Sequence, residues 1–157
     1  MSDQIASISE RLYTCCVREP RYRVGWLVGP AQRSRKSLIA RQLCTQHGWR
    51  YLDYTLTPGY FDALTESIAS YQPSQLVAAI QEWCAVCDST VLVIDELDAV
   101  LATWDRNQRR TWAGQTARLQ YLPCGLVIVS HFFDARQLVE LLPDRNPRYC
   151  VDLTGGL

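Results

Sequence analysis

The sequence predicts an α/β fold in which helices cover both faces of a parallel sheet. Three short runs, residues 22–28, 90–96 and 125–130, are mainly apolar; the second ends in two carboxylates and the third in a serine. Such runs are typical of strands buried on both faces. Stretches with helical apolar spacing separate these runs, and such alternation indicates parallel strands joined by helical crossovers. We expect a single domain over residues 1–157, with residues 1–20 forming an N-terminal helix and its lead-in.

Local patterns assign each element. The predicted helices span residues 3–17, 36–47, 58–71, 74–87, 98–120 and 134–142. The predicted strands span residues 22–28, 49–56, 90–96, 125–130 and 148–153.

Several boundaries follow from single residues. The first predicted helix has one apolar face, formed by Ile5, Ile8, Leu12 and Cys16. Gly48 ends the second helix. Pro73 separates the third helix from the fourth, because proline lacks a backbone N–H. The fifth helix has an expected break at residues 104–107.

Lys36 is the only lysine among sixteen basic residues. It lies shortly after an apolar strand and Gly29, and directly before Ser37, where a phosphate-binding loop has its lysine. The usual pattern is glycine, four residues, glycine, lysine and then serine or threonine. Here the loop has an additional residue, and Arg35 stands where the second glycine is expected.

Two registers fit this loop. In the first, Lys36 contacts phosphate and Ser37 is a magnesium ligand. In the second, Ser34 replaces the glycine, Arg35 the lysine and Lys36 the hydroxyl residue, so that no metal ligand remains. We favour the first register, because residues 36–43 have the apolar spacing of a helix under a sheet and resemble the first helix of P-loop ATPases.

Loss of the second glycine changes how the loop meets phosphate. A cradling loop points successive backbone N–H groups at phosphate oxygens and needs unusual dihedral angles. Arg33 and Arg35 can instead contact phosphate through their guanidinium groups. The alternative is a basic turn between a strand and a helix.

Asp95 and Glu96 end the apolar strand at residues 90–96. Ligands of open α/β sheets bind beyond the carboxyl ends of the strands. We therefore expect Asp95 to hold Mg²⁺ and Glu96 to polarise an attacking water near a γ-phosphate. The alternative is a capped strand end followed by a helix with Asp98 in its first turn.

Ser130 ends the strand at residues 125–130. In AAA+ and related ATPases this position often carries a polar sensor of the γ-phosphate, and Ser130 is the candidate. His131 beside it fits a solvated or packed side chain better than a site residue. Together these motifs resemble a P-loop NTPase core of the AAA+/RecA-like type, with ATP and Mg²⁺ as cofactors.

Composition limits the other functions. The zero net charge gives no overall attraction to DNA or membranes, and no apolar stretch approaches the ~20 residues of a membrane helix. The N-terminus lacks a signal-peptide pattern, so we expect a cytoplasmic protein.

The sequence contains one CxxC pair, Cys84 and Cys87, which has metal or redox spacing. Cys15 and Cys16 could complete a four-sulfur zinc site with it. Because no second CxxC pair is present, we favour reduced, partly buried thiols over zinc.

The end of the chain resembles the segment of AAA+ proteins that sends an arginine into a neighbour's nucleotide site. Arg145 is the better candidate for this arginine and Arg148 the second, with solvated surface arginines as the alternative. The sequence stops after the last predicted strand, so we expect an AAA+-like core without the C-terminal helical lid. Such a core should hold nucleotide weakly unless a neighbour closes the site.

Nearly the whole chain is similar to the BrxF family of small P-loop proteins from type 3 BREX phage-exclusion systems. The similarity rests on the N-terminal helix leading into residues 27–30, the strand at 50–54, the helix begun by Pro73 and the ending soon after residues 146–149. It implies an accessory ATPase acting beside a larger ATPase, a DNA methyltransferase and a phosphatase-like protein in antiviral defence. DnaA-like regulatory ATPases are a competing assignment.

The leading hypothesis is an ATP-binding subunit that assembles with itself or with larger partners, with hydrolysis slow or dependent on those partners. Contact with DNA within such a complex stays open. The second hypothesis is a nucleotide-free adaptor, for which the five tryptophans and eight tyrosines would suit a contact surface. A small-molecule kinase fits less well, because no arginine-rich lid segment is present.

Overall fold

The computed structural model describes residues 2–29 and 33–153, without the side chains of Ser2, Arg33 and Ser34. Its strands are β1 (Val24–Val28), β2 (Arg50–Asp53), β3 (Val91–Asp95), β4 (Gly125–Val129) and β5 (Cys150–Asp152). Its helices are α1 (Ser2–Cys16), α2 (Arg33–His47), α3 (Pro73–Val86), α4 (Asp98–Leu101), α5 (Arg106–Ala117) and α6 (Ala135–Val139). The strands form one sheet in the order β2-β3-β4-β1-β5, and every neighbouring pair is parallel.

Helices cover both faces of this sheet, as the sequence predicts. Successive residues of a strand point to opposite faces. On β1, a Cβ atom added at Gly25 would lie 2.9 Å from the Sγ atom of Cys15 in α1. The next residue, Trp26, packs edge-to-face against Trp112 of α5, with ring centroids 5.7 Å apart. Helices α1 and α5 therefore lie on opposite faces, and all five residues of β1, β3 and β4 are buried.

The strand order creates a crevice at the carboxyl edge of the sheet. The chain leaves β1 through α2 and crosses to β2 at one side of the sheet, whereas it leaves β4 through α6 and reaches β5 at the other side. Because β1 and β4 are neighbours, their outgoing connections diverge. Ligands of open α/β sheets bind at such a switch point.

The elements predicted at residues 58–71 and 49–56 differ from those in the structure. The helix expected at residues 58–71 is absent, and only two short 3₁₀ turns, Phe61–Leu64 and Ile68–Ser70, occupy this segment. The second strand is shorter than residues 49–56, because Asp53 Oδ1 accepts hydrogen bonds from the backbone N–H groups of Thr55 and Leu56 and turns the chain.

Capping sets the remaining boundaries. The expected break at residues 104–107 is confirmed, since Asp105 caps α5 by accepting a hydrogen bond from the N–H of Gln108 at 2.8 Å. Asp134 caps α6 in the same way, and that helix ends before the predicted residue 142. Within residues 2–29 and 33–153, no helix has the length and apolar character needed to cross a membrane.

Candidate functional site

Lys36 lies in the crevice between β1 and β4. Its Nζ atom donates to the carbonyl oxygens of Ser130 at 3.1 Å and Gly29 at 3.4 Å, which follow β4 and β1. The side chain is buried, with 3% of the residue exposed. The α2 helix thus directs the only lysine of the chain to the switch point of the sheet.

Asp95, the last residue of β3, is fully buried at the centre of a polar cluster. Its Oδ2 atom accepts a hydrogen bond from the Tyr51 hydroxyl at 2.6 Å. Its Oδ1 atom accepts from the backbone N–H of Glu96 at 2.8 Å and lies 3.0 Å from His131 Nε2. An ionised carboxylate only accepts, so Nε2 carries the hydrogen in this contact.

These contacts decide the charge of Asp95. Burial raises the pKa of its carboxyl group, but the interactions with His131, Ser37 and Tyr51 outweigh burial and leave the pKa below its ordinary value. The pKa of Tyr51 is raised, first by burial and then by its bond to Asp95. At neutral pH the cluster therefore contains an ionised aspartate and a protonated tyrosine.

Ser37 lies beside this carboxylate. Its Oγ atom is buried and makes no hydrogen bond of normal geometry within the described residues. It is nevertheless close enough to Asp95 to contribute to the lowered pKa of that group. A buried hydroxyl with unused hydrogen-bonding capacity next to a buried carboxylate is suited to a further oxygen-binding group.

Glu96 follows Asp95 in a strained backbone conformation. Its φ angle of 65° lies in the left-handed region, which a glutamate adopts at a cost of about 1–3 kcal/mol. Thr55 Oγ1 donates to the Glu96 carbonyl oxygen at 3.0 Å and helps to hold this turn. One ligand atom each from Asp95, Glu96 and His131 lie within 4.8 Å of one another, a grouping able to hold a cation.

Ser130 contributes mainly through its backbone. Its Oγ atom accepts a hydrogen bond from the N–H of Phe133 at 3.1 Å, so the hydroxyl stabilises the turn after β4. Its carbonyl oxygen contacts Lys36. The candidate sensor thus lies at the expected strand end, with its hydroxyl engaged in that turn.

The structure adds two residues to the predicted site. The sequence favours a solvated or packed role for His131, yet this residue contacts Asp95 with its side chain only 3% exposed. Tyr51 carries no sequence signal of a site residue. It lies on β2, next to β3, and no local motif around it indicates the contact with Asp95.

The predicted arginines have different surroundings. Arg35 is half-buried, whereas the side chains of Arg33 and Ser34 lie outside the described residues. Arg148 pairs with Glu19 at 3.2 Å. Arg145 is exposed and precedes β5, so it lies towards the amino edge of the sheet, away from the Lys36 crevice.

All seven cysteines are free thiols. Cys87 is half-buried and the other six are buried. The grouping of Asp95, Glu96 and His131 is the one cluster of metal-binding type within residues 2–29 and 33–153.

No protein-family model matches this chain, and no curated protein matches its sequence. A functional assignment therefore depends on the site and on the sheet that positions it.

Proposed function

We propose that this protein is a P-loop-type subunit that binds ATP with Mg²⁺ and hydrolyses it slowly or only when assembled with partners. The observation that carries the proposal is the meeting of α2, β3 and β4 at one crevice. There Lys36 and Ser37 lie close to the acid-tipped strand that ends at Asp95.

The sheet topology supports this assignment. Lys36 bridges the carbonyl oxygens at the ends of β1 and β4, the two neighbouring strands whose connections diverge. This is the position at which α/β sheets receive their ligands. It also favours the register in which Lys36 contacts phosphate, because the following residue, Ser37, lies beside Asp95.

The donor set fits a magnesium ion. Mg²⁺ prefers oxygen ligands and keeps several waters, and the buried Asp95 carboxylate and Ser37 hydroxyl supply two oxygens. When bound with ATP, the ion would neutralise phosphate charge. Asp95 can act as a carboxylate ligand of this ion at neutral pH, because its lowered pKa keeps it ionised.

The chain's own groups would perform the remaining steps. Lys36 exchanges its two carbonyl acceptors for phosphate oxygens, and Glu96 orients a water molecule and accepts its proton on a carboxylate oxygen. The turn after β4, which the Ser130 hydroxyl stabilises, would lie near the γ-phosphate. The exposed Arg145, at the other edge of the sheet, can act only in the site of a neighbouring subunit.

A nucleotide-free adaptor is the second candidate, and a specific observation favours it. Lys36 already bonds two carbonyl oxygens, and both oxygens of Asp95 already accept hydrogen bonds. A cluster satisfied in this way stabilises the sheet edge without any ligand. In the first candidate, nucleotide and Mg²⁺ replace these internal hydrogen bonds; in the second, the internal hydrogen bonds remain.

The thermal midpoint with and without millimolar Mg-ATP tests the proposal. A ligand at 100 times its Kd adds ~2.7 kcal/mol, which for a chain of this size is roughly 5–11 °C. We expect a rise of at most this size in the wild-type protein, a smaller rise in Arg35→Met and no rise in Lys36→Met. Each variant is compared with its own midpoint without nucleotide, so a change in intrinsic stability does not affect the result.

Each pattern of shifts has a distinct meaning. A rise lost only in Arg35→Met would support the second register. No rise in the wild-type protein, together with no binding of a fluorescent ATP analogue, would refute nucleotide binding by the chain and favour the adaptor. Turnover is tested separately: in the assembled complex, Glu96→Gln should reduce hydrolysis while nucleotide binding remains.

The biological setting is proposed on the BrxF-like motifs. We propose that the protein acts in the cytoplasm, with itself or with a larger ATPase, a methyltransferase and a phosphatase-like protein, in antiviral defence of the BREX type. Affinity purification from cells carrying the surrounding genes tests this, and we expect it to recover those partners. In a separate plating assay, we expect phage to form plaques again on cells that carry Lys36→Met in place of the wild-type protein. A DnaA-like regulatory role is the alternative, and co-purification with replication-origin DNA alone would favour it.

A further inference from the structure

A second candidate binding surface lies on α5, outside the Lys36 crevice. Its twelve residues, Arg106–Ala117, include three arginines and no acidic residue. The buried side of the helix packs into the core through Trp112, Ala113, Thr116 and Ala117. Because residues three and four apart share a helix face, Arg109 continues this buried side towards the N-terminus, with Arg106 and Arg110 beside it. The positive charge is thus concentrated at the start of the helix, although the chain as a whole has no net charge.

These arginines line a cavity of about 180 Å³, which we call the arginine cavity. Its walls are formed by Arg106, Arg109, Arg110, Phe132, Phe133 and Gln137. Each of these six residues is basic, aromatic or an uncharged amide. Three guanidinium groups around a recess form an environment that favours an anion, and arginine binds phosphate bidentately.

Internal contacts orient these side chains while leaving most of their charge available. Arg109 Nε donates to the Leu101 carbonyl oxygen at 2.9 Å, and its guanidinium lies 4.7 Å from the centroid of the Phe132 ring. Arg110 is 3.5 Å from Glu140, a long contact on a largely exposed acid. Arg106 is exposed and has no side-chain partner within residues 2–29 and 33–153.

A polar groove adjoins the cavity along the same helix. It is lined by Asn107, Gln108, Thr111 and Gln115 of α5, by the helix-capping Asp105 and by residues at the start of α3. Amide and hydroxyl side chains are donors and acceptors to sugars, phosphates and base edges. Asp105 uses its Oδ1 atom to cap the helix, so guanidinium groups and amides make up most of the two adjoining surfaces. This combination suits a long polyanion better than a single small anion.

We propose that the arginine cavity at the start of α5 binds a phosphate of a nucleic acid backbone, and that the strand continues along the adjoining polar groove. Phe132 is half-exposed at the cavity wall and provides apolar surface beside that phosphate. This function is independent of nucleotide binding at Lys36. It concerns a different helix and is tested without ATP or Mg²⁺.

Fluorescence anisotropy with a labelled, mixed-sequence single-stranded oligonucleotide, measured over a range of KCl concentrations, tests the proposal. In the double variant Arg106→Gln/Arg110→Gln we expect the affinity for the oligonucleotide to fall by about tenfold or more, because two charge-assisted hydrogen-bonding groups for phosphate are lost. The slope of log affinity against log salt should decrease by about 0.7 for each phosphate that the variant no longer neutralises. Arg106 is exposed and the Arg110 side chain is 31% exposed, and an unchanged thermal midpoint would show that the fold is retained.

Two further variants separate charge at this surface from general effects. Glu140→Gln removes the acid facing Arg110 and should strengthen binding, a gain that loss of structure does not produce. Arg50→Gln removes the same charge from the first residue of β2, at the amino edge of the sheet, and should leave binding unchanged.

Three results would overturn the proposal. The first is no oligonucleotide binding by the wild-type protein at low salt. The second is an arginine double variant with wild-type affinity and salt slope. The third is binding of inorganic phosphate at the cavity without affinity for the oligonucleotide, which would make it a site for a free phosphate.

Discussion

The hydrogen bond from Tyr51 to Asp95 provides a quantitative test of the site. Tyr51→Phe removes one neutral donor to an ionised, fully buried carboxylate, a contact of 2.6 Å. Hydrogen bonds to charged groups contribute about 1.5–3 kcal/mol. Asp95 keeps its bonds from Glu96 and His131, and the Phe ring can still pack under Arg41, so we expect a loss of about 2 kcal/mol at pH 7.

The pH dependence of this loss follows from the lowered pKa of Asp95. A carboxyl group whose folded-state pKa lies below its unfolded value stabilises the fold above the unfolded pKa of about 3.9. That contribution disappears as pH falls through the folded pKa. Tyr51→Phe raises the folded pKa, so the difference between variant and wild type should be greatest near neutrality and should shrink in acid.

Urea unfolding at pH 7 and at progressively lower pH measures both effects. Tyr121→Phe is the matched control, because Tyr121 is 68% exposed and the same hydroxyl is removed from a solvated ring. If Tyr51→Phe and Tyr121→Phe lose equal stability at pH 7, the Tyr51 bond contributes nothing. A loss by Tyr51→Phe that persists unchanged in acid would instead arise from packing.

Three other predictions concern packing, capping and thiol exposure. Gly125→Ala should lower the free energy of unfolding by about 1–3 kcal/mol, because the added Cβ would lie 2.7 Å from the carbonyl oxygen of Cys16. Gly114→Ala should instead raise it by about 0.5–1 kcal/mol, because Gly114 lies inside α5 and the nearest atom to the added Cβ is 3.7 Å away. Equal effects in urea unfolding would contradict this. Asp105→Ala should cost about 0.5–2 kcal/mol through loss of the α5 cap, and circular dichroism against Asn and Ser replacements checks that the cap is responsible. A thiol reagent should label Cys87 first, since the other six thiols are buried; rapid labelling that persists in Cys87→Ser would show another accessible thiol.

Much of the fold can be predicted because its signals are local. The continuous apolar runs of β1, β3 and β4 arise from burial on both faces, which local sequence records directly. The helix expected at residues 58–71 is wrong because turn chemistry outweighs its helical spacing, with Gly59 at a φ angle of 91°. The helix expected at 134–142 is too long at its C-terminal end, where Pro143 begins a 3₁₀ turn.

The site residues also fall into two groups, those that a local motif predicts and those that only tertiary contacts reveal. Lys36, Ser37, Asp95 and Glu96 belong to short motifs, and a motif needs only a strand end and a helix start to bring its residues to the sheet edge. Tyr51 and His131 are 44 and 36 residues from Asp95 along the chain, and neither belongs to a motif. Their contacts depend on which strands are neighbours.

The sequence by itself therefore determined the alternation of strands and helices, the parallel sheet and the residues at its carboxyl edge, because apolar periodicity and short motifs act over a few residues. The tertiary structure alone decided the order β2-β3-β4-β1-β5, the burial of Lys36 between β1 and β4 and the bonds that surround Asp95. It also decided that the arginines of α5 surround one cavity with Phe132 and Phe133. Such contacts join residues distant in the chain, and only the packing of complete elements brings them together.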